Sequence, residues 1–111
     1  MTKILFVCGK NRRRSLSAEE VFSGIEGIEV SSAGTSVEAE CQVSADLLEW
    51  ADRVFVMQRS QQRYLQVHFA HVLKDKKIVC LNVPDVYTYM QPELVTILRA
   101  KVLPLLRQRG F

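Results

Sequence analysis

Residues 4–15 read Ile4-Leu5-Phe6-Val7-Cys8-Gly9-Lys10-Asn11-Arg12-Arg13-Arg14-Ser15, and a helical pattern begins directly after them at Leu16. Four consecutive apolar residues suit a strand covered on both faces, where a parallel sheet loses the alternation of polar and apolar positions. Ala18, Val21, Phe22 and Ile25 then recur with the spacing of one helix face. The tight loop between strand and helix directs backbone N–H groups and the positive end of the helix dipole into one concavity. An anion site is expected there.

The residue types in the loop suit nucleophilic chemistry on that anion. Amide donors, a helix N-terminus and arginines all favour a negative charge, so Cys8 is expected as the thiolate, a nucleophile for a phosphoryl-like substrate. Arg14 closes the loop with a planar fork that can hold two equatorial oxygens of a phosphate, which a lysine cannot do. Ser15 can donate its hydroxyl to the sulfur. Asn11 tolerates the left-handed backbone of a cradle, and Gly9 lets the backbone approach a ligand. Lys10, Arg12 and Arg13 add positive charge beyond what one phosphate needs, and are expected to fan around the mouth and attract anionic substrates. For Cys8 alone, a core cysteine beside a solvated turn would be the better reading. Cys8-x5-Arg14-Ser15 between a strand and a helix favours the anion site.

The composition bounds the rest. A chain of 111 residues, 48% hydrophobic and 24% charged, suits one globular α/β domain over residues 1–111. No apolar run approaches the ~20 residues that span a bilayer, and no signal-peptide core opens the chain, so no membrane partner is expected. Three cysteines at wide spacings argue for reduced thiols and a cytoplasmic location rather than a disulfide framework. His68 and His71 stand three apart with no third ligand in view, so no metal and no cofactor is expected.

Taken in order, Ile28–Ser31 reads as a second strand running into Ser32-Ala33-Gly34, and residues 35–43 as a loop. Ser44 is an expected N-cap for a helix with Leu47, Leu48 and Ala51 inward. Trp50 is expected to pack. Arg53–Met57 reads as a third strand, followed by a helix opened by Ser60 with Leu65, Phe69, Val72 and Leu73 on its apolar face. Ile78–Leu81 reads as a fourth buried strand with Cys80 as a core residue. Pro92 starts the last helix, which Pro104 should kink or end early. Strands alternating with helices give an open, four-stranded parallel α/β sheet.

Cys8-x5-Arg14-Ser15 followed by Ala18-Glu19 resembles the low-molecular-weight protein tyrosine phosphatase family. Ser32-Ala33-Gly34-Thr35, Ala51-Asp52-Arg53-Val54-Phe55-Val56-Met57 and Pro84-Asp85-Val86-Tyr87 agree with that likeness, which therefore touches every segment of the chain. Four departures accompany it. Lys10 stands where the family commonly has glycine, Arg13 where it often has cysteine and Leu16 where proline is usual, and the chain is shorter. The resemblance implies strand order 2-1-3-4 with helices on both faces, and a hydrogen bond from Ser32 to Asn11. That order places Cys8 and Asp85 on one rim of the sheet.

Asp85 then becomes the expected general acid, protonating a leaving group and later taking a proton from water. Tyr87 and Tyr89 are candidates to wall the cleft, with packing against the last helix as the alternative for both. Together these residues indicate a cysteine-dependent phosphomonoesterase acting on a phosphorylated protein or small molecule, phosphotyrosine foremost. Three rivals share parts of the pattern, one of them a transport-phosphorelay cysteine domain, against which Arg14 argues. A thiol-dependent arsenate reductase would need Cys41 or Cys80 to relay to Cys8. A phosphate- or RNA-binding module would use the Asn11–Arg14 cluster, though no aromatic-studded basic face accompanies it, which argues against nucleic acid. The sequence does not fix an oligomeric state.

Overall fold

The structure is a computed structural model that describes residues 2–10, 14–74 and 76–106. Its elements alternate as expected: β1 (Thr2–Cys8), α1 (Arg14–Phe22), β2 (Ile28–Gly34), α2 (Ala45–Trp50), β3 (Arg53–Val56), α3 (Arg59–His68), α4 (Ala70–Leu73), β4 (Ile78–Cys80) and α5 (Pro92–Leu106). The four strands form one sheet in the order β2-β1-β3-β4, and every neighbouring pair is parallel.

The apolar run in β1 is explained by its central place. Ile4, Phe6 and Cys8 belong to one core cluster with Phe22 of α1 and Leu94, Leu98 and Val102 of α5. Leu5 and Val7 belong to a second, with Leu48 of α2, Leu65 of α3 and Leu73 of α4. Successive side chains of a strand point to opposite faces, so both faces of β1 must be apolar when helices cover each. Phe6 is the hinge of the first cluster. Its ring stacks on Phe22 at a centroid distance of 5.6 Å and on Phe55 at 5.5 Å.

Four details differ from the sequence reading. The helix expected to open at Ser60 begins at Arg59 and breaks at Phe69, whose φ and ψ of −131° and 26° leave the helical region, so α3 and α4 are separate. Phe69 is half-buried against the second core, and its N–H still reaches the Leu65 carbonyl at 2.8 Å. Second, β3 and β4 are each one residue shorter than expected at their C-terminal ends. Third, β4 is an edge strand, so Cys80 is half-buried rather than a core residue, and its thiol lies 3.4 Å from Asn82 Oδ1. Fourth, α5 contains Pro104 and is described through Leu106. The proline withholds one donor, the one that would face the Ala100 carbonyl, in the last described turn, where little of the helix remains to be lost. Among the described residues no helix is long and apolar enough to cross a membrane.

Phe6 is fully buried and touches the rings on either side of it. Phe6→Ala should therefore cost about 3–5 kcal/mol of unfolding free energy, a large-to-small change in a site that cannot collapse. Urea denaturation followed by circular dichroism measures it. Phe6→Leu should cost clearly less.

Candidate active site

The site lies where the strand order reverses, beyond the carboxyl ends of the strands. Cys8 is the last residue of β1 and is buried. Its Sγ lies 2.9 Å from Ser15 Oγ in the first turn of α1. The chain leaving Cys8 is held by the segment that follows β2. The Thr35 N–H donates to the Cys8 carbonyl at 3.0 Å, the Ser36 N–H to the Gly9 carbonyl at 2.9 Å and the Glu40 N–H to the Lys10 carbonyl at 3.1 Å. That segment is itself pinned. Gly34 donates to the Cys41 carbonyl and accepts from the Val43 N–H, both at 2.8 Å. Lys10 Nζ also lies 3.5 Å from Glu38, an exposed pair that adds little. Asn11, Arg12 and Arg13 lie outside the described residues.

Arg14 opens α1 and is only 4% exposed. A buried guanidinium is costly unless its donors are met. Its Nη1 donates to Gln58 Oε1 at 2.8 Å and to the Val83 carbonyl at 2.9 Å, while its Nε faces Asp85 Oδ1 at 3.7 Å. One side chain thus gathers α1, the turn after β3 and the segment after β4. The segment carrying Asp85 has a second anchor on the same helix. Ser17, fully buried, accepts from the Met90 N–H at 2.9 Å, which holds Met90 at a φ of 58°, a region non-glycine residues rarely occupy.

These groups line a cavity of about 420 Å³ formed by Cys8, Gly9, Lys10, Arg14, Ser36, Gln58, Gln61 and Asp85. A thiol, a guanidinium and a carboxyl group share it, and the buried positive charge favours an anion within. A Cβ added at Gly9 would meet no protein atom within 4 Å, so that position leaves room at the cavity wall. Tyr87 instead packs against the first core cluster and Tyr89 is half exposed; neither belongs to the cavity lining. Ser32 donates its hydroxyl to Glu19 Oε1, and Asn11, the partner implied for it, is not among the described residues. Ser17, Ser36, Gln58 and Gln61 belong to no motif of the sequence. A signal existed for two of them: Ser36 and Gln58 each stand two residues past the carboxyl end of a parallel strand, where α/β sheets place ligand contacts.

The thiols are kept apart by the sheet. Cys8 pairs with Gly34, and Gly34 turns its N–H and carbonyl away from β1 to residues 41–43. Val7, beside Cys8, pairs with Val56, and Val56 with Cys80. Cys80 is therefore separated from Cys8 by β3, two strand spacings or about 9.6 Å, while Cys41 lies in the loop after β2, its carbonyl held by the Gly34 N–H. A disulfide needs Cα atoms within about 7 Å.

No protein-family model matches this chain, and no curated protein does. Solved structures match over nearly their whole length. The low molecular weight protein tyrosine phosphatase SP-PTP of Streptococcus pyogenes superposes with a TM-score of 0.82 at 20% identity, covering 100% of this chain and 95% of that one. The tyrosine phosphatase Wzb of Escherichia coli K30, in complex with phosphate, gives 0.76 at 15% identity over 97% and 98%. The YwlE arginine phosphatase of Geobacillus stearothermophilus gives 0.68 at 19% over both chains entire. The chain has the low-molecular-weight protein tyrosine phosphatase fold. Within that fold Cys8, Arg14 and Asp85 of this chain meet at one cavity.

The strand spacing carries a redox consequence. Peroxide treatment of the dilute folded protein should yield Cys8 sulfenic and then sulfinic acid, with no Cys8–Cys41 or Cys8–Cys80 disulfide in the peptide map. Either disulfide, formed rapidly in the folded state, would contradict the separation.

Proposed function

We propose that the chain is a cysteine-dependent phosphomonoesterase that hydrolyses aryl phosphates such as phosphotyrosine. The observation that carries this is the convergence of the Cys8 thiol and the buried Arg14 guanidinium on one cavity, with Asp85 at its rim. The likeness to the phosphatase fold and the Cys8-x5-Arg14 spacing support it.

In this mechanism the Cys8 thiolate attacks phosphorus, forming the S–P bond as the P–O bond to the leaving group breaks. Asp85 gives its proton to the departing oxygen. Loop amides and Arg14 hold the equatorial oxygens where charge redistributes. Ser15 donates to the sulfur, which stabilises it as a nucleophile and again as the leaving group. Water then attacks the cysteinyl-phosphate, Asp85 takes its proton, and the S–P bond breaks to release phosphate. The arsenate reductase alternative is disfavoured by the spacing of the thiols, since no second cysteine stands on a strand next to β1. Three thiols that form no disulfide, Cys8 on β1, Cys41 in a loop and Cys80 on β4, fit a reducing compartment, the cytoplasm.

Two experiments test the proposal. Cys8→Ser should abolish hydrolysis of an aryl phosphate while inorganic phosphate still binds, and Arg14→Lys should lose most activity because a point charge cannot replace the fork. Turnover by Cys8→Ser at the wild-type rate would overturn the mechanism. Asp85→Asn should lower kcat about 10²–10⁴-fold on substrates with poor leaving groups, the usual worth of a positioned proton donor. Good leaving groups, which depart without a proton, should lose much less; equal losses on both would remove Asp85 from the acid role.

A further inference from the structure

We propose that Gln58 is a positioning residue that aims Arg14 while leaving its charge undiminished, and that Gln61 holds Gln58 in place. The inference rests on the phosphatase reading of the site. A guanidinium has five N–H donors in one plane, so fixing one nitrogen fixes the direction of the others. Arg14 Nη1 carries two hydrogens, and both have protein acceptors: Gln58 Oε1 at 2.8 Å and the Val83 carbonyl at 2.9 Å. The donors left for the oxygens of an anion are therefore Nη2 and, when Asp85 moves off, Nε.

The two acceptors on Nη1 are neutral. This matters because a carboxylate in their place would fix the same geometry but cancel the positive field at the phosphorus, where charge stabilisation is needed. Gln58 thus supplies orientation without neutralisation. It needs support of its own, since a free glutamine side chain rotates about several bonds. Gln61, only 5% exposed, fixes the backbone from which that side chain springs: Gln61 Oε1 accepts from the Gln58 backbone N–H at 2.6 Å. Its Nε2 lies 3.5 Å from Gln58 Oε1, a long contact on the same oxygen that receives Arg14. The first turn of α3 is in this way coupled to the first turn of α1 across the cavity that both line.

The test compares the wild type with Gln58→Glu, Gln58→Leu and Gln61→Leu, measuring inorganic phosphate binding by calorimetry and hydrolysis of an aryl phosphate. Gln58→Leu should weaken phosphate binding about tenfold or more, the loss expected for a hydrogen bond to a charged group, and lower kcat/KM in parallel. Gln61→Leu should do the same more weakly. Gln58→Glu, close to the native side chain in shape, keeps the test valid even if the leucine variants unfold. It should bind phosphate about tenfold more weakly at neutral pH, and its ratio to the wild type at the same pH should recover as acid protonates the new carboxyl. A merely structural role would not produce that recovery. Wild-type protein that binds phosphate and hydrolyses the ester, with a Gln58→Glu variant within twofold of it at every pH, would overturn this proposal alone. Wild-type protein that binds no phosphate would overturn the phosphatase reading and this inference with it.

Discussion

Burying one positive charge is the constraint on which the site depends. Arg14 is almost wholly out of water, and an unpaired guanidinium there would cost far more than a small domain can spare. Its acceptors come from the turn after β3 and from the stretch after β4, so the charge is tolerated only when those crossovers close over α1. The same contacts that satisfy the charge also assemble the cavity. Folding and site formation are one event here, because the charge that would bind an anion is the charge that needs three segments to hold it.

The two limbs of the Cys8 loop are supported differently. The first, Cys8 to Lys10, continues the pairing of β1 with β2 beyond the strands, carbonyl by carbonyl, onto residues 35–40. The second is the start of α1, held through side chains: Ser15 at the sulfur, Arg14 at Gln58 and Val83, Ser17 at Met90. Backbone pairing fixes where the thiol emerges from the sheet. Side-chain pairing fixes what surrounds it.

The fold was legible because its decisive signal is local. Ile4-Leu5-Phe6-Val7 can be continuously apolar only if both faces are covered, and the clusters on either side of β1 show that they are. Cys8, Arg14 and Asp85 were legible because they share a motif or follow a strand. The break at Phe69 was not, since no glycine or proline marks it and the apolar spacing runs straight through. Nor was the place of Tyr87, because a residue two beyond Asp85 can face cavity or core equally well in sequence, and only the packing of the first core cluster decides. Gln61 is illegible for a related reason, and for Gln58 only its place just past β3 hints at the site. A neutral amide has no distinctive spacing, and its worth lies entirely in the partner that tertiary structure brings to it.

The contrast among Arg14's own contacts bears on how such a site could turn over. Nη1 is held at ordinary hydrogen-bond distances by partners inside the protein, whereas the contact of Nε with Asp85 is longer, at 3.7 Å, and the carboxyl side chain is 57% exposed. With the carboxyl group largely in water and 3.7 Å from Nε, and Nη1 held by other partners, little is lost when this contact parts. The proposed mechanism needs that asymmetry. A proton donor must move to the leaving oxygen and then to water, while the group that stabilises charge on phosphorus must stay still through both steps. Strong contacts on the stationary partner and a weak one on the moving partner meet both demands. Had Asp85 been Arg14's main acceptor, leaving it would have exposed a buried charge in the middle of the reaction. Gln58 and Val83 carry that burden instead, which frees the carboxyl group to act.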